Sequence, residues 1–190
     1  MGYAVSKIYA RSIIEEFSIR FDENIHCLED LLFMYQYLLH CDYLVLNHMQ
    51  NYVYVKHSFS LSHRIHSFES EYCCFVKYQQ LLAEMMKVWK IPAGDMVVTV
   101  NSMLVPFRRA LKSDYQPDRT IPREMRVKHL KRMISESRDV FLKYYHPVFK
   151  TDKLGKVLLG FNCYILYDFY IRLLFRLNIG PVFYGPKHMY

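Results

Sequence analysis

The 190-residue chain has one tryptophan, six glycines and no apolar run that reads as a membrane span. The longest candidate, residues 157–174, is interrupted by Asn162, Asp168 and Arg172. No glycine-rich loop follows a strand-like run, which excludes the phosphate-cradling loop and the dinucleotide fingerprint. The five cysteines are Cys27, Cys41, Cys73, Cys74 and Cys163. They form no C-x-x-C pair and their number is odd, so neither a redox dithiol nor a closed disulfide framework is expected. A reduced, cytoplasmic setting with cysteines acting as small buried hydrophobes is. The nine histidines lack ligand spacing such as His-x-x-x-His, so no metal site is expected within this chain. No signal-peptide pattern opens the sequence. Met1 to Ser6 formally fits an N-myristoylation pattern, but so short a pattern recurs by chance. Internal repeats and low-complexity tracts are absent.

What is present suits a packed protein. Hydrophobic residues make up 52% and charged residues 23%, enough for a core and too apolar for disorder. Aromatics reach 16%, with 17 tyrosines and 13 phenylalanines. Such a load fits carbohydrate contact or an interface, although an aromatic core is the default reading. Twenty-five basic against 18 acidic residues leave a net charge of +7, which favours anionic partners. The basic residues are dispersed, with short clusters at Arg108-Arg109 and Lys128 to Arg132, and no nucleic-acid motif accompanies them. Nucleic acid is therefore not an expected partner.

The patterning changes near residue 65. Before it, Ser6 to Phe17 has helical character, a polar turn follows at Arg20 to Asn24, and Glu29 to His40 reads as a second helix with acids in its first turn. Tyr43 to Leu46 and Tyr52 to Val55 are short β-prone runs fit for a hairpin or two edge strands. After it, everything reads helical. Phe68, Tyr72, Phe75, Val76, Leu82, Met86 and Trp89 mark one face, and Pro92 and Gly94 end that helix. A helix over Met96 to Leu111 is expected to kink at Pro106. Val127, Leu130, Ile134 and Phe141 mark a third helix, and Lys153 to Asn178 reads as one last helix. The expected fold class is α+β and mostly helical: an α/β remnant over residues 1–65, then a bundle of about four helices over residues 66–190.

Several segments of the first part carry a resemblance. Ser6-Lys7-Ile8-Tyr9 is followed by Arg11-Ser12-Ile13-Ile14, then by Ile19-Arg20-Phe21-Asp22-Glu23-Asn24-Ile25 and Leu28-Glu29-Asp30-Leu31-Leu32-Phe33. Tyr52-Val53-Tyr54 and the loop Ser58 to Ser62 complete the order. Together these resemble the acceptor half of glycosyltransferase family 2, inverting transferases of the GT-A fold. That family usually has glycine before the Glu-Asp pair, where this chain has Leu28. Its front half binds the nucleotide with an Asp-x-Asp motif, and no Asp-x-Asp occurs in this chain. The resemblance covers about a third of the sequence directly, and it implies a C-terminal GT-A portion followed by a helical extension.

The implied chemistry is a single displacement of a nucleoside diphosphate by an acceptor hydroxyl, with inversion. A hydroxyl is a poor nucleophile near neutrality, so a carboxylate must take its proton as the bond forms. The resemblance assigns that base to Asp30, with Glu29 orienting it or holding the acceptor. Lys7, Lys56, His57, His63 and Arg64 are candidates to stabilise the diphosphate, and Tyr52 or Tyr54 to stack on a sugar. Of these, Lys7, Tyr54, His57 and Arg64 are the candidate substrate-binding residues. The chain needs no cofactor of its own; a divalent metal, manganese or magnesium, is expected in the complete enzyme. Expected partners are a nucleotide-sugar donor and a glycan or lipid-linked acceptor, in surface polysaccharide or glycolipid synthesis. The fragment alone is expected to be inactive. The competing expectation is a non-catalytic helical module that docks on a partner or lies on the inner face of a membrane. Lys153, Lys156, Arg172 and Arg176 flank an apolar stripe there.

Overall fold

The computed structural model describes residues 6–46, 52, 53, 55, 64–92, 95, 104–116, 119–144, 146, 147, 149–177 and 179. Among these lie seven α-helices: α1 (Arg11–Glu16), α2 (Glu29–Leu38), α3 (Phe68–Trp89), α4 (Leu104–Ser113), α5 (Arg123–Tyr144), α6 (Lys150–Gly160) and α7 (Tyr164–Leu177). The mostly helical expectation therefore holds.

The long helix α3 is the hub. Ser67 caps it by accepting a hydrogen bond from the Ser70 N–H, and Glu69 and Glu71 stand in its first turn. It stops where Lys90 turns left-handed, with Pro92 just beyond. It packs against α2, α4 and α5, while α7 packs against α5 and α6. The main core joins Phe75, Tyr78 and Leu82 to Phe107, Leu130 and Ile171. Ile25 and Leu32 from the N-terminal stretch belong to this same core. The other side of α2 buries Phe33 and Tyr37 in a small second cluster with Ile19. Of the five cysteines, only Cys74 is fully buried; the expectation of a buried set overstates the other four.

Three local expectations need correction. The first helix is shorter than Ser6 to Phe17, covering only Arg11–Glu16. Residues 43–46 adopt no regular structure and are exposed, as are Tyr52, Val53 and Val55. No strand occurs among the described residues. β-propensity expresses itself only through a paired neighbour and a buried face, and the described residues of these runs have neither. The kink expected at Pro106 turns on the backbone of residues 96–103, which lie outside the described set.

The last expected helix is two. Asn162 adopts φ 57°, and Cys163 N–H bonds to Leu158 O while Asn162 N–H bonds to Leu159 O. This is a Schellman closure with asparagine in the left-handed position. Arg138 of α5 clamps it by donating to Gly160 O at 2.7 Å. Hydrophobic periodicity runs straight through the break, because both helices bury apolar faces.

Leu28, immediately before α2, has φ 65° and ψ 12°. A Cβ in that region costs roughly 1–2 kcal/mol. Leu28 also packs against the main core. Removing the side chain in two ways isolates the backbone term. Leu28→Gly is expected to be about 1 kcal/mol more stable than Leu28→Ala, the reverse of the helix-interior order. Urea unfolding of the two variants measures this, and an alanine variant equal or superior to glycine would refute the strain.

Candidate functional site

The acid pair opens α2 behind a turn that is tied to α3. Asn24 N–H donates to Asp22 Oδ1 at 2.9 Å, closing the turn locally. Ser70 Oγ then donates to Asn24 O at 2.9 Å and accepts from His26 N–H at 3.3 Å. Lys77 pairs with the Asp22 carboxylate. The approach to Glu29 and Asp30 is thus fixed by a helix more than forty positions later in sequence.

The two acids diverge. Successive helix positions differ by about 100° around the axis. Glu29 lines a cleft of about 230 Å³ between α2 and α3 with Asp22, Gln36, Lys77, Gln80 and Glu84. Asp30 does not line that cleft. It is half-buried, accepts from Leu31 N–H at 2.7 Å, and lies close enough to Tyr9 to act on its hydroxyl. Burial first, then the Asp30 charge, raises the Tyr9 pKa. Tyr9 packs edge-on against Phe33 and Tyr37, and the Tyr37 hydroxyl accepts from Ala10 N–H at 2.7 Å. The segment carrying half-buried Lys7 is thereby held against α2 near Asp30.

Arg64 is tied down through its backbone. Its carbonyl accepts from Arg109 Nη2 at 2.7 Å, and its side chain is exposed. Arg119 holds the next two carbonyls, donating to His66 O at 2.8 Å and to Ile65 O at 3.2 Å. Arg109 grips buried Glu71 with two bonds of 2.8 Å, so neither side chain is available for a ligand charge. The His66 ring lies 5.2 Å from that of His26, which brings residues 64–66 against the turn before the acid pair. Burial pushes the His66 imidazole down, against the Glu71 charge that favours its protonated form. Burial likewise pushes the Cys27 thiol up, against nearby Arg109. Tyr54, Lys56, His57 and His63 lie outside the described residues.

Sequence reasoning assigned no role to Tyr9, Gln36, Lys77, Gln80 or Glu84. The spacing held a signal for the cleft. Glu29, Leu32 and Gln36 fall at steps of three and four, as do Lys77, Gln80 and Glu84, so each set shares one helix face. Nothing local says that the two faces meet. The cleft offers carboxylates, amides and one ammonium group, a set that recognises hydroxyl-rich or cationic ligands rather than apolar ones. Among the described residues, no three His, Cys, Asp or Glu side chains converge to hold a metal ion. The divalent metal implied by the resemblance finds no ligand set among the described residues.

A second polar centre sits far along the chain. Asp168 is 1% exposed and accepts two bonds from Arg126, at 2.6 and 2.9 Å, and one from the Tyr115 hydroxyl at 2.8 Å. Every member is satisfied internally, which marks it as structural. No family model matches the chain, and neither a curated protein nor a solved structure matches it.

Proposed function

We propose that this chain supplies the acceptor side of an inverting nucleotide-sugar glycosyltransferase, with Asp30 as the base that takes the acceptor proton. The observation that carries the reading is the backbone at Leu28. The sequence resemblance calls for glycine before the Glu-Asp pair, and glycine is the residue that positive φ favours. Residue 28 has that conformation, φ 65°, although its side chain is leucine. The turn before the acid pair thus has the backbone conformation that glycine favours, which supports the resemblance.

Two further features support it. Asp30 is half-buried beside Tyr9 and the Lys7 segment rather than projecting into bulk water. Tyr43, Leu44, Val45 and Leu46 are exposed in succession without regular structure, an apolar stretch that elements supplied from elsewhere would cover. In this assignment the reacting hydroxyl lies beside Asp30 and Tyr9, Glu29 reaches further hydroxyls of the same acceptor from the adjoining cleft, and Lys7 and Arg64 supply positive charge near the leaving group.

The reading is tested by titrating the isotope-labelled chain with neutral oligosaccharides and following its amide signals. Shifts are expected to centre on residues 7–10 and 28–33 and to weaken in Asp30→Asn. Shifts spread evenly over the surface would reject the site. The chain alone is expected to transfer no sugar from a nucleotide sugar with manganese, since the donor-binding elements of the resemblance are not in it. Measured turnover would overturn the assignment of this chain to the acceptor side.

A further inference from the structure

We infer that the outer face of α7 docks in the plane of an anionic lipid surface. This stands independently of the transferase reading. The core-facing side of α7 is Tyr167, Asp168, Ile171 and Leu174. A soluble helix would place polar residues opposite. Instead Ile165, Phe169, Leu173 and Leu177 recur at four-residue steps with Leu166 beside them, and all five are exposed, Phe169 at 66%. Phe161, at the turn entering the helix, is 77% exposed. The helix is therefore apolar on both sides.

Charge selects the occupant. Arg172 and Arg176 are exposed on that same outer face, at positions seven and eleven residues after Ile165. The only acid in α7 is Asp168, which is buried and neutralised by Arg126. In the preceding helix, Asp152 is bound to Arg108 at 2.7 Å, while Lys150 and Lys153 are exposed. The face is apolar and cationic with no exposed carboxylate on α7. Two copies meeting through it would set arginines against arginines, which disfavours self-association. An anionic lipid surface satisfies both features: apolar side chains enter the acyl boundary, and the arginines lay their stems along it with guanidinium groups at the phosphates. Among the described residues no helix is long and apolar enough to cross a membrane. At 14 residues α7 is about 21 Å long, which suits an in-plane helix and not a span.

The test is flotation with vesicles of phosphatidylcholine alone and of phosphatidylcholine mixed with phosphatidylglycerol. The chain is expected to float with the mixed vesicles, to bind the neutral ones weakly, and to be released by high salt. Each cation is worth on the order of fivefold in partitioning, so the double variant Arg172→Gln/Arg176→Gln should bind about 25-fold more weakly. Phe169→Gln/Leu173→Gln should abolish binding with unchanged circular dichroism, since all four side chains lie outside the core. Absence of binding to the mixed vesicles, equal binding to both kinds, or a dimer dispersed by Phe169→Gln would each overturn the inference.

Discussion

Asp168→Ala is expected to lower the free energy of unfolding by about 3–5 kcal/mol, among the largest single-residue effects in this protein. Asp168 holds three donors inside the bundle, two from Arg126 and one from Tyr115. Arg126 and Tyr115 are themselves buried. Removing the carboxylate strands a guanidinium group and a phenol hydroxyl away from water. The cost comes from that stranded charge, not from any large net value of the intact pair. An exposed pair serves as the control: Glu69→Ala removes the partner of Arg132 at 2.9 Å and should cost under about 1 kcal/mol. Urea titrations with matching slopes compare the two. A loss for Asp168→Ala as small as that for Glu69→Ala would show that Arg126 finds another partner or water.

The same group dictates an acid limb. Burial pushes the Asp168 carboxyl up, but its hydrogen bonds to Arg126 and Tyr115 outweigh this and hold it below the usual carboxylate range. A depressed folded-state pKa contributes stability above the unfolded value of about 4, lost as pH falls through the folded value. Asp114 has the opposite sign: burial raises its pKa despite the hydrogen bond from His129. Its folded form binds the proton more readily, so its contribution declines as pH rises past about 4. Stability against pH should therefore fall more gently on the acid side in Asp168→Asn than in the parent chain, measured relative to each protein's value at neutrality.

On the proposed assignment, Asp30→Asn lowers turnover of the complete transferase by about 10²- to 10⁴-fold while changing donor KM only a few-fold. Asparagine keeps the shape and still accepts the Leu31 N–H bond through its amide oxygen, so the start of α2 survives. What it loses is the capacity to take a proton. Glu29→Gln should act differently, raising acceptor KM more than it lowers kcat, because Glu29 faces the cleft with Gln36 and Gln80. Near-normal turnover in Asp30→Asn would remove it from the proton path and leave the acid pair as helix-start charges.

Much of the helical content was legible before any coordinates. Glu29–Leu38, Phe68–Trp89 and Arg123–Tyr144 follow from apolar spacing, acids at helix starts and prolines at breaks. The acid pair and the turn before it were legible as a motif. The β-prone runs misled, since short runs of Tyr, Leu and Val record a preference that only a neighbouring strand can realise. The single long final helix misled too, because the Asn162 closure rests on a clamp from Arg138, 24 positions away.

The sequence alone determined where helices nucleate and which residues carry titratable chemistry, because both depend on neighbours within a turn or two. Only the tertiary structure decided that Glu29 and Asp30 face different surroundings and that Asp168, an interruption in an apolar run, anchors the bundle. It likewise decided that Glu71 and Arg109 cancel one another. Each of those outcomes depends on partners about twenty to fifty positions away, and burial converts a mobile surface charge into one that must be matched where it sits.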